Sequence, residues 1–322
     1  MATQTNKQRF TDGLAKVLEE QWQVDVRLRA GVDNDDGSFI SVHKLILASR
    51  SEVFKMMLDS DDVKTEAKKM ETITLSEMRN EELKAFVEFM YSDGTMLSPK
   101  SNQHILVIAM VTQTNQQKFS GGLAKVLEEQ WQVDVRLKAG VDNDDVSAIS
   151  VHKLILVSRS EVFKRMLESA EVKTLAEQVE TVALSEMKKE ELEAFVEFMY
   201  NDGTMLSPKS KQHVRSLYLA ADKYEIPHLR DLCRNEIISS LDLSNALDCL
   251  ELAQIPFDND LHEAAFLFVK TNIYTIASSE VFKLFVVSNP NLAWDIMKAS
   301  LSCPSHNFCG VCTSCSNYCN YC

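Results

Sequence analysis

Apolar positions along this chain recur with two periods, and the alternation between them predicts a fold. Over residues 122–132, Leu123, Val126 and Leu127 fall at helical spacing, with Trp131 one turn further on. Over 133–137, Val133, Val135 and Leu137 alternate with Asp134 and Arg136, the period-two signature of a half-buried strand. A polar turn over 140–145 leads into a returning strand at 149–151. Residues 154–167 predict a second helix, with Leu154, Ile155, Val162, Phe163, Met166 and Leu167 available for burial. A third short strand follows at 181–184, then a helix over 190–200 whose apolar face is Leu192, Phe195, Val196 and Met199.

From residue 214 onward only the helical period remains. Val214, Leu217, Tyr218 and Ala221 form one face, which ends before Pro227. Pro227 suits the first turn of a helix carrying Leu229, Leu232, Cys233, Glu236 and Ile237. Further helical patterns cover 243–253, 261–269, 281–287 and 292–297. Short strands with helices between them, followed by helices alone, indicate an α+β fold with an all-α extension.

The same pattern has already been written once, upstream. Residues 1–104 recur as 110–213 at a constant offset of 109, without a gap, and 80 of the 104 pairs are identical. Phe10 pairs with Phe119, Trp22 with Trp131, His43 with His152 and Tyr91 with Tyr200. A repeat of this length holds several secondary elements, unlike a solenoid unit. After His104 the first copy runs through the apolar stretch 105–111 straight into the second, whereas the second continues for about a hundred residues. The chain is therefore expected to hold a truncated module over 1–109, a complete one over 110–240, helices over 241–301 and a cysteine-rich tail over 302–322, expected to be disordered.

Composition narrows the function classes. Of 322 residues, 45% are hydrophobic and 25% charged, ordinary for a globular protein with real cores. The net charge of −13, with no concentrated basic stripe, disfavours a phosphate backbone, so no nucleic-acid partner is expected. No apolar run reaches the length of about 18 residues that a membrane span needs, and MATQTNKQRF lacks the apolar core of a secretory signal. Six of eight cysteines crowd into the last twenty residues rather than framing a disulfide scaffold, which points to a reducing compartment. The expected address is intracellular, in cytoplasm or nucleus.

The most tempting chemistry is Asp134 with His152 and Lys153, which recurs in the first copy as Asp25 with His43 and Lys44. General acid–base catalysis needs such a pair within hydrogen-bond reach. No nucleophile of recognisable context joins it, so a structural polar pair where hairpin meets helix is the expectation. There is no glycine-rich phosphate loop. No catalytic, cofactor-binding or metal residues are assigned, and no cofactor is expected. In the tail, Cys303, Cys309, Cys312, Cys315, Cys319 and Cys322 include overlapping C-x2-C pairs, but the usual second pair on a small folded unit is missing. Zinc binding, lipid attachment and a disordered tail all stay open, and a metal-dependent enzyme using the tail remains the third function class.

Several of these segments together resemble a known family. The strand Val133-Asp134-Val135-Arg136-Leu137, then 151–156 as VHKLIL and 158–163 as SRSEVF, with FVEFMY at 195–200 and LAADKY at 219–224, is similar to a BTB/POZ domain, as found in plant BTB/POZ domain-containing proteins. The resemblance covers residues 10–104 and 119 to about 238. Residues 243–301, with VSNPNL at 287–292, resemble the short BACK-related extension of the speckle-type POZ protein group. That group's substrate-binding MATH domain has no counterpart here, and a second BTB-like copy stands in its place.

The resemblance implies a short mixed sheet capped by helices, homodimerisation and, for many members, docking onto a cullin-3 scaffold as the substrate adapter of a RING ubiquitin ligase. In the family the helix at 122–132 crosses to the partner subunit, which makes Leu123, Val126, Leu127 and Trp131 the dimer-interface candidates. Cullin-binding members carry a hydrophobic residue, any residue, then glutamate in the region of Leu175-Ala176-Glu177. Leu175, Glu177, Met166 and Tyr224 are therefore the cullin-binding candidates. The first copy has Glu66-Ala67-Lys68 at the paired positions, which loses both the apolar plug and the acid. The expected function is a non-catalytic adapter joining a cullin-3-type scaffold to an unidentified protein substrate. The competing reading is an oligomerising scaffold, for example in transcriptional regulation, without ligase association.

Overall fold

The computed structural model describes residues 6–32, 38–59, 70–92, 116–140, 148–171, 180–201 and 203–301. These residues divide into two compact units that meet at Arg234–Asn235. The first unit contains both copies of the repeat. In the first copy the order is α1 (Asn6–Glu19), β1 (Val26–Ala30), β2 (Ile40–Val42), α2 (Lys44–Arg50), α3 (Glu52–Asp59), β3 (Glu71–Leu75) and α4 (Asn80–Tyr91). The second copy repeats it as α5 (Gln116–Glu128), β4 (Val135–Ala139), β5 (Ala148–Val151), α6 (Lys153–Arg159), α7 (Glu161–Glu171), β6 (Glu180–Leu184) and α8 (Lys189–Tyr200). It then adds α9 (Pro208–Gln212), α10 (Val214–Lys223) and α11 (Pro227–Ser239).

Each copy builds one three-stranded mixed sheet. β1 is central, antiparallel to β2 and parallel to β3; β4 is likewise central between β5 and β6. A parallel pair needs a crossover, and in each copy two helices supply it. The strand expected over 133–137 lies two residues later, at Val135–Ala139, so Val133 precedes it; Val135, Leu137 and Ala139 face inward, as do Val26, Leu28 and Ala30. The core of each sheet is closed by the helix after the third strand, where Leu83, Phe86 and Met90 match Leu192, Phe195 and Met199.

One predicted helix is two. The apolar run over 154–167 breaks at Ser160, whose backbone is extended at φ −149°, ψ 117°. Its hydroxyl accepts from the Phe163 N–H at 3.1 Å and so starts α7 afresh. Ser51 breaks the first copy at the paired position, at φ −151° and ψ 120°.

The second unit is helical: α12 (Ala246–Gln254), α13 (Asn259–Thr271), α14 (Ile273–Ile276), α15 (Glu280–Ser288) and α16 (Pro290–Leu301). α12 packs against α13, which packs against α16, burying Leu250, Leu261, Ala265, Val269 and Ile296. Asp258 and Ser279 cap α13 and α15 by accepting from Leu261 and Phe282 N–H groups. No helix among the described residues is long and apolar enough to cross a membrane.

Candidate functional site

Among the described residues an extensive apolar and polar interface lies between the two copies. α1 of the first copy packs on α6 of the second, and α5 of the second packs on α2 of the first. Phe10, Leu14 and Val17 are buried on α1, and Leu123 and Val126 on α5. The stripe that was expected to cross to a partner subunit thus crosses to the other copy in the same chain. Leu127 and Trp131 are half-buried at its margin.

Three kinds of polar contact across this interface have their counterparts at the offset of 109, whereas the ion pair of Arg9 with Asp231 at 3.5 Å has none. Lys16 pairs with Glu161, and Lys125 with Glu52. Lys164 pairs with Glu20, and Lys55 with Glu129. The indole N–H of Trp22 donates to Glu168 at 3.2 Å, and that of Trp131 to Asp59 at 2.8 Å. Such reciprocity, in which residue i meets j and j meets i, defines an isologous interface. The lysine hydrogen bonds hold Glu52 and Glu161 below the usual carboxylate range.

Glycine sets how closely the copies approach. A Cβ on Gly13 would lie 1.8 Å from the carbonyl oxygen of Ser158, and one on Gly122 would lie 1.8 Å from that of Ser49. A helix-interior glycine costs about 1 kcal/mol relative to alanine, so its retention at both positions reports the close packing it permits.

The histidine–aspartate pair is used up structurally. In the first copy the His43 ring lies 2.8 Å from the Trp22 carbonyl through Nε2 and 2.6 Å from the Tyr91 hydroxyl through Nδ1. A carbonyl only accepts, so Nε2 carries the proton and Nδ1 accepts from Tyr91. The Tyr91 oxygen in turn accepts the His43 backbone N–H at 2.9 Å. His152, Trp131 and Tyr200 repeat the arrangement at 2.7 Å, 2.7 Å and 2.8 Å. Asp25 accepts from the Lys44 backbone N–H, and Asp134 from that of Lys153, each at 2.7 Å. Burial drives His43 down to about 4 and lowers His152 as well. Burial also pushes Asp25 up to about 6, with Asp134 adding to the rise, and raises Asp134 itself. Both aspartates and both histidines line one small cavity of about 60 Å³ between the copies.

Sequence reasoning missed the third partner, Tyr91 or Tyr200, and the buried Arg159. The Arg159 guanidinium donates to the Met199 and Asn201 carbonyls and to His228 Nε2. It also stacks over Phe10 of the first copy, 3.8 Å from the ring centroid. Burial first, then Arg159, lowers His228 to about 3. Conversely, Leu175 and Glu177 lie outside the described residues, as do their first-copy pairs and the cysteine tail. Met166 is half-buried on α7. Tyr224 is 2% exposed, and its ring stacks on Phe163 at 4.6 Å, so it supports the domain from inside. Among the described residues no group of three or more His, Cys, Asp or Glu side chains is placed to hold a metal.

Comparison with known proteins fits this geometry. A family model for the BTB/POZ domain matches residues 14–116 and again 123–241. The chain belongs to the BTB/POZ family. It is 63% identical over 221 residues to the BTB/POZ domain-containing protein At5g48510 of Arabidopsis thaliana, covering 66% of this chain and 97% of that one. The putative BTB/POZ domain-containing protein At2g40450 of the same organism is 63% identical over 206 residues, 63% of this chain and 98% of its own. A third, At1g01640, is 40% identical over 183 residues, 57% of this chain and 84% of its own. Nearly the whole of the first two relatives is thus accounted for by about two thirds of this chain. The chain exceeds those matches by about the length of one copy.

Proposed function

We propose that this chain is a substrate-specific adapter of a cullin-3-type RING ubiquitin ligase, assembled as a BTB dimer within one polypeptide. The observation that carries this reading is the asymmetry between otherwise reciprocal copies. Both supply the dimer helices, but only the second continues into α10 and α11, with Tyr224 buried beneath them as support, so one complete docking face accompanies each closed pair. The adapter would contribute proximity, holding a substrate lysine near a charged conjugating enzyme, and no chemistry of its own. The engagement of both histidine–aspartate pairs by backbone groups and the Tyr91 and Tyr200 hydroxyls supports that division. Cullin docking falls to the second copy through Leu175 and Glu177, with Met166 on the adjoining helix, and the expected address is cytoplasm or nucleus.

Interface anchors commonly contribute 2 kcal/mol or more, about a thirtyfold change in affinity. Leu175→Ala with Glu177→Lys should therefore abolish co-purification of a cullin from a plant extract. Glu66→Ala with Lys68→Glu in the first copy should change nothing. Retention of the cullin by the second-copy variant would overturn the motif. Absence of a cullin from the parent would replace the adapter reading with a scaffold that works without a ligase.

A further inference from the structure

The second copy contains a lock-and-key pair that the first copy keeps only in half. Tyr224 seals the second copy: its ring stacks on Phe163 and tilts against Phe195, with centroids at 4.6 Å and 6.1 Å. Ser160 donates its hydroxyl to the Tyr224 carbonyl at 2.5 Å, and the Tyr224 hydroxyl donates to Glu186 at 2.7 Å. Lys223, one residue earlier, reaches the other oxygen of Glu186, also at 2.7 Å.

At the offset of 109 every receptor residue survives unchanged: Ser51, Phe54, Glu77 and Phe86 stand for Ser160, Phe163, Glu186 and Phe195. In the first copy these residues line an open groove of about 440 Å³, together with Val53 and Met78. Val53 is 49% exposed there, and Leu75 is only half-buried where its counterpart Leu184 is fully buried. The groove is apolar on its floor and carries an acid at its rim.

We propose that this groove binds a helix of a partner protein that ends in a basic residue followed by tyrosine, as α10 ends in Lys223-Tyr224. The tyrosine ring stacks on Phe54, its hydroxyl and the preceding cation meet Glu77, and Ser51 satisfies a terminal carbonyl. Among the described residues of the first copy no helix equivalent to α10 follows α4. Residues 93–115, which join the copies, contain no Phe, Trp or Tyr, and Asn115 stands at the position paired with Tyr224. A second molecule of this chain is a poor donor, because its Tyr224 is already buried against its own Phe163 and exchange would expose what it fills. The proposal is independent of cullin docking, which concerns the other copy.

The test uses the full chain and a fluorescein-labelled peptide of residues 214–226, VRSLYLAADKYEI, read by fluorescence anisotropy. Saturable one-to-one binding is expected, at least tenfold weaker for a peptide carrying Tyr224→Ala. Phe54→Ala or the milder Glu77→Gln in the protein should weaken it comparably, while Glu186→Gln should leave it unchanged. Three results overturn the proposal. The parent peptide fails to bind; or binding responds to Glu186→Gln instead, showing that the peptide displaces α10; or binding appears only after Ile105→Ser with Ile108→Ser, showing that the chain's own linker is the occupant.

Discussion

At the scale of single residues, the molecule spends three of its seven histidines on architecture. His43, His152 and His228 are buried and neutral, each with ring nitrogens held by the fold. Their native pKa values lie below the ordinary 6.5, at about 4 for His43 and about 3 for His228. As pH falls through 6.5 the unfolded chain therefore takes up protons that the native chain refuses. Stability is complete near pH 7 and drains toward pH 4, with His43 alone accounting for about 3 kcal/mol by then. Asp25, raised to about 6, works in the opposite sense between pH 6 and 3.8, because the native state protonates first. Asp134, raised by burial too, opposes in the same sense. The three histidines exceed the two aspartates, so thermal melts from pH 7.5 to 4.5 should show a falling midpoint; a flat profile would contradict the buried network. Tyr91→Phe and Tyr200→Phe should each cost about 1–3 kcal/mol in urea unfolding, since each strands a buried imidazole nitrogen and a backbone N–H. The aspartate–histidine pair was readable from sequence as structural because no nucleophile accompanied it. Its tyrosine was not, because 48 residues of chain separate it from the histidine and only the fold joins them.

At the scale of elements, most of the pattern was legible and the breaks were not. The alternation of Val135, Leu137 and their neighbours located the strands to within a few residues. The run over 154–167 concealed a helix junction, because apolar periodicity passes through Ser160 undisturbed and only its extended backbone reveals the stop. In hindsight Ser160 followed by Glu161 is a helix-start signal, a capping hydroxyl with an acid in the first turn. Gly13 and Gly122 gave no reason for themselves in the sequence; the reason is a carbonyl on the other copy. They also supply a test whose sign discriminates. Helix propensity alone predicts that alanine stabilises each site by about 1 kcal/mol. The intrachain contact predicts the reverse, a loss of about 1–3 kcal/mol per substitution from overpacking. Lowered melting temperatures for Gly13→Ala and Gly122→Ala, larger together than singly, are the expected outcome; raised ones would place the copies further apart than described.

At the scale of the whole molecule, the duplication itself was plain in the sequence, but its consequence was not. A homodimer and an internal pair bury the same stripe of Leu123, Val126 and Leu127, so apolar pattern cannot choose between them. The choice follows from covalent linkage. Joining two complementary surfaces on one chain gives an effective concentration in the millimolar range, which a second molecule at micromolar concentration does not match. The intact protein should therefore elute and scatter light with the mass of one chain. Removing the first copy uncovers the stripe on α5 and the face of α6, and the nearest complement is another copy of the same fragment. Residues 110–301 should accordingly form a stable homodimer. Residues 1–109 should fail to melt cooperatively, because four apolar positions at 214, 217, 218 and 221 have no equivalent helix there. Each large apolar side chain left uncovered forfeits about 1.5–3 kcal/mol, and several together approach the whole margin of 5–15 kcal/mol. Light scattering on all three species decides the matter. A dimeric full chain, or a monomeric fragment 110–301, would show that the reciprocal contacts of Lys16, Glu52, Lys125 and Glu161 do not determine assembly in solution.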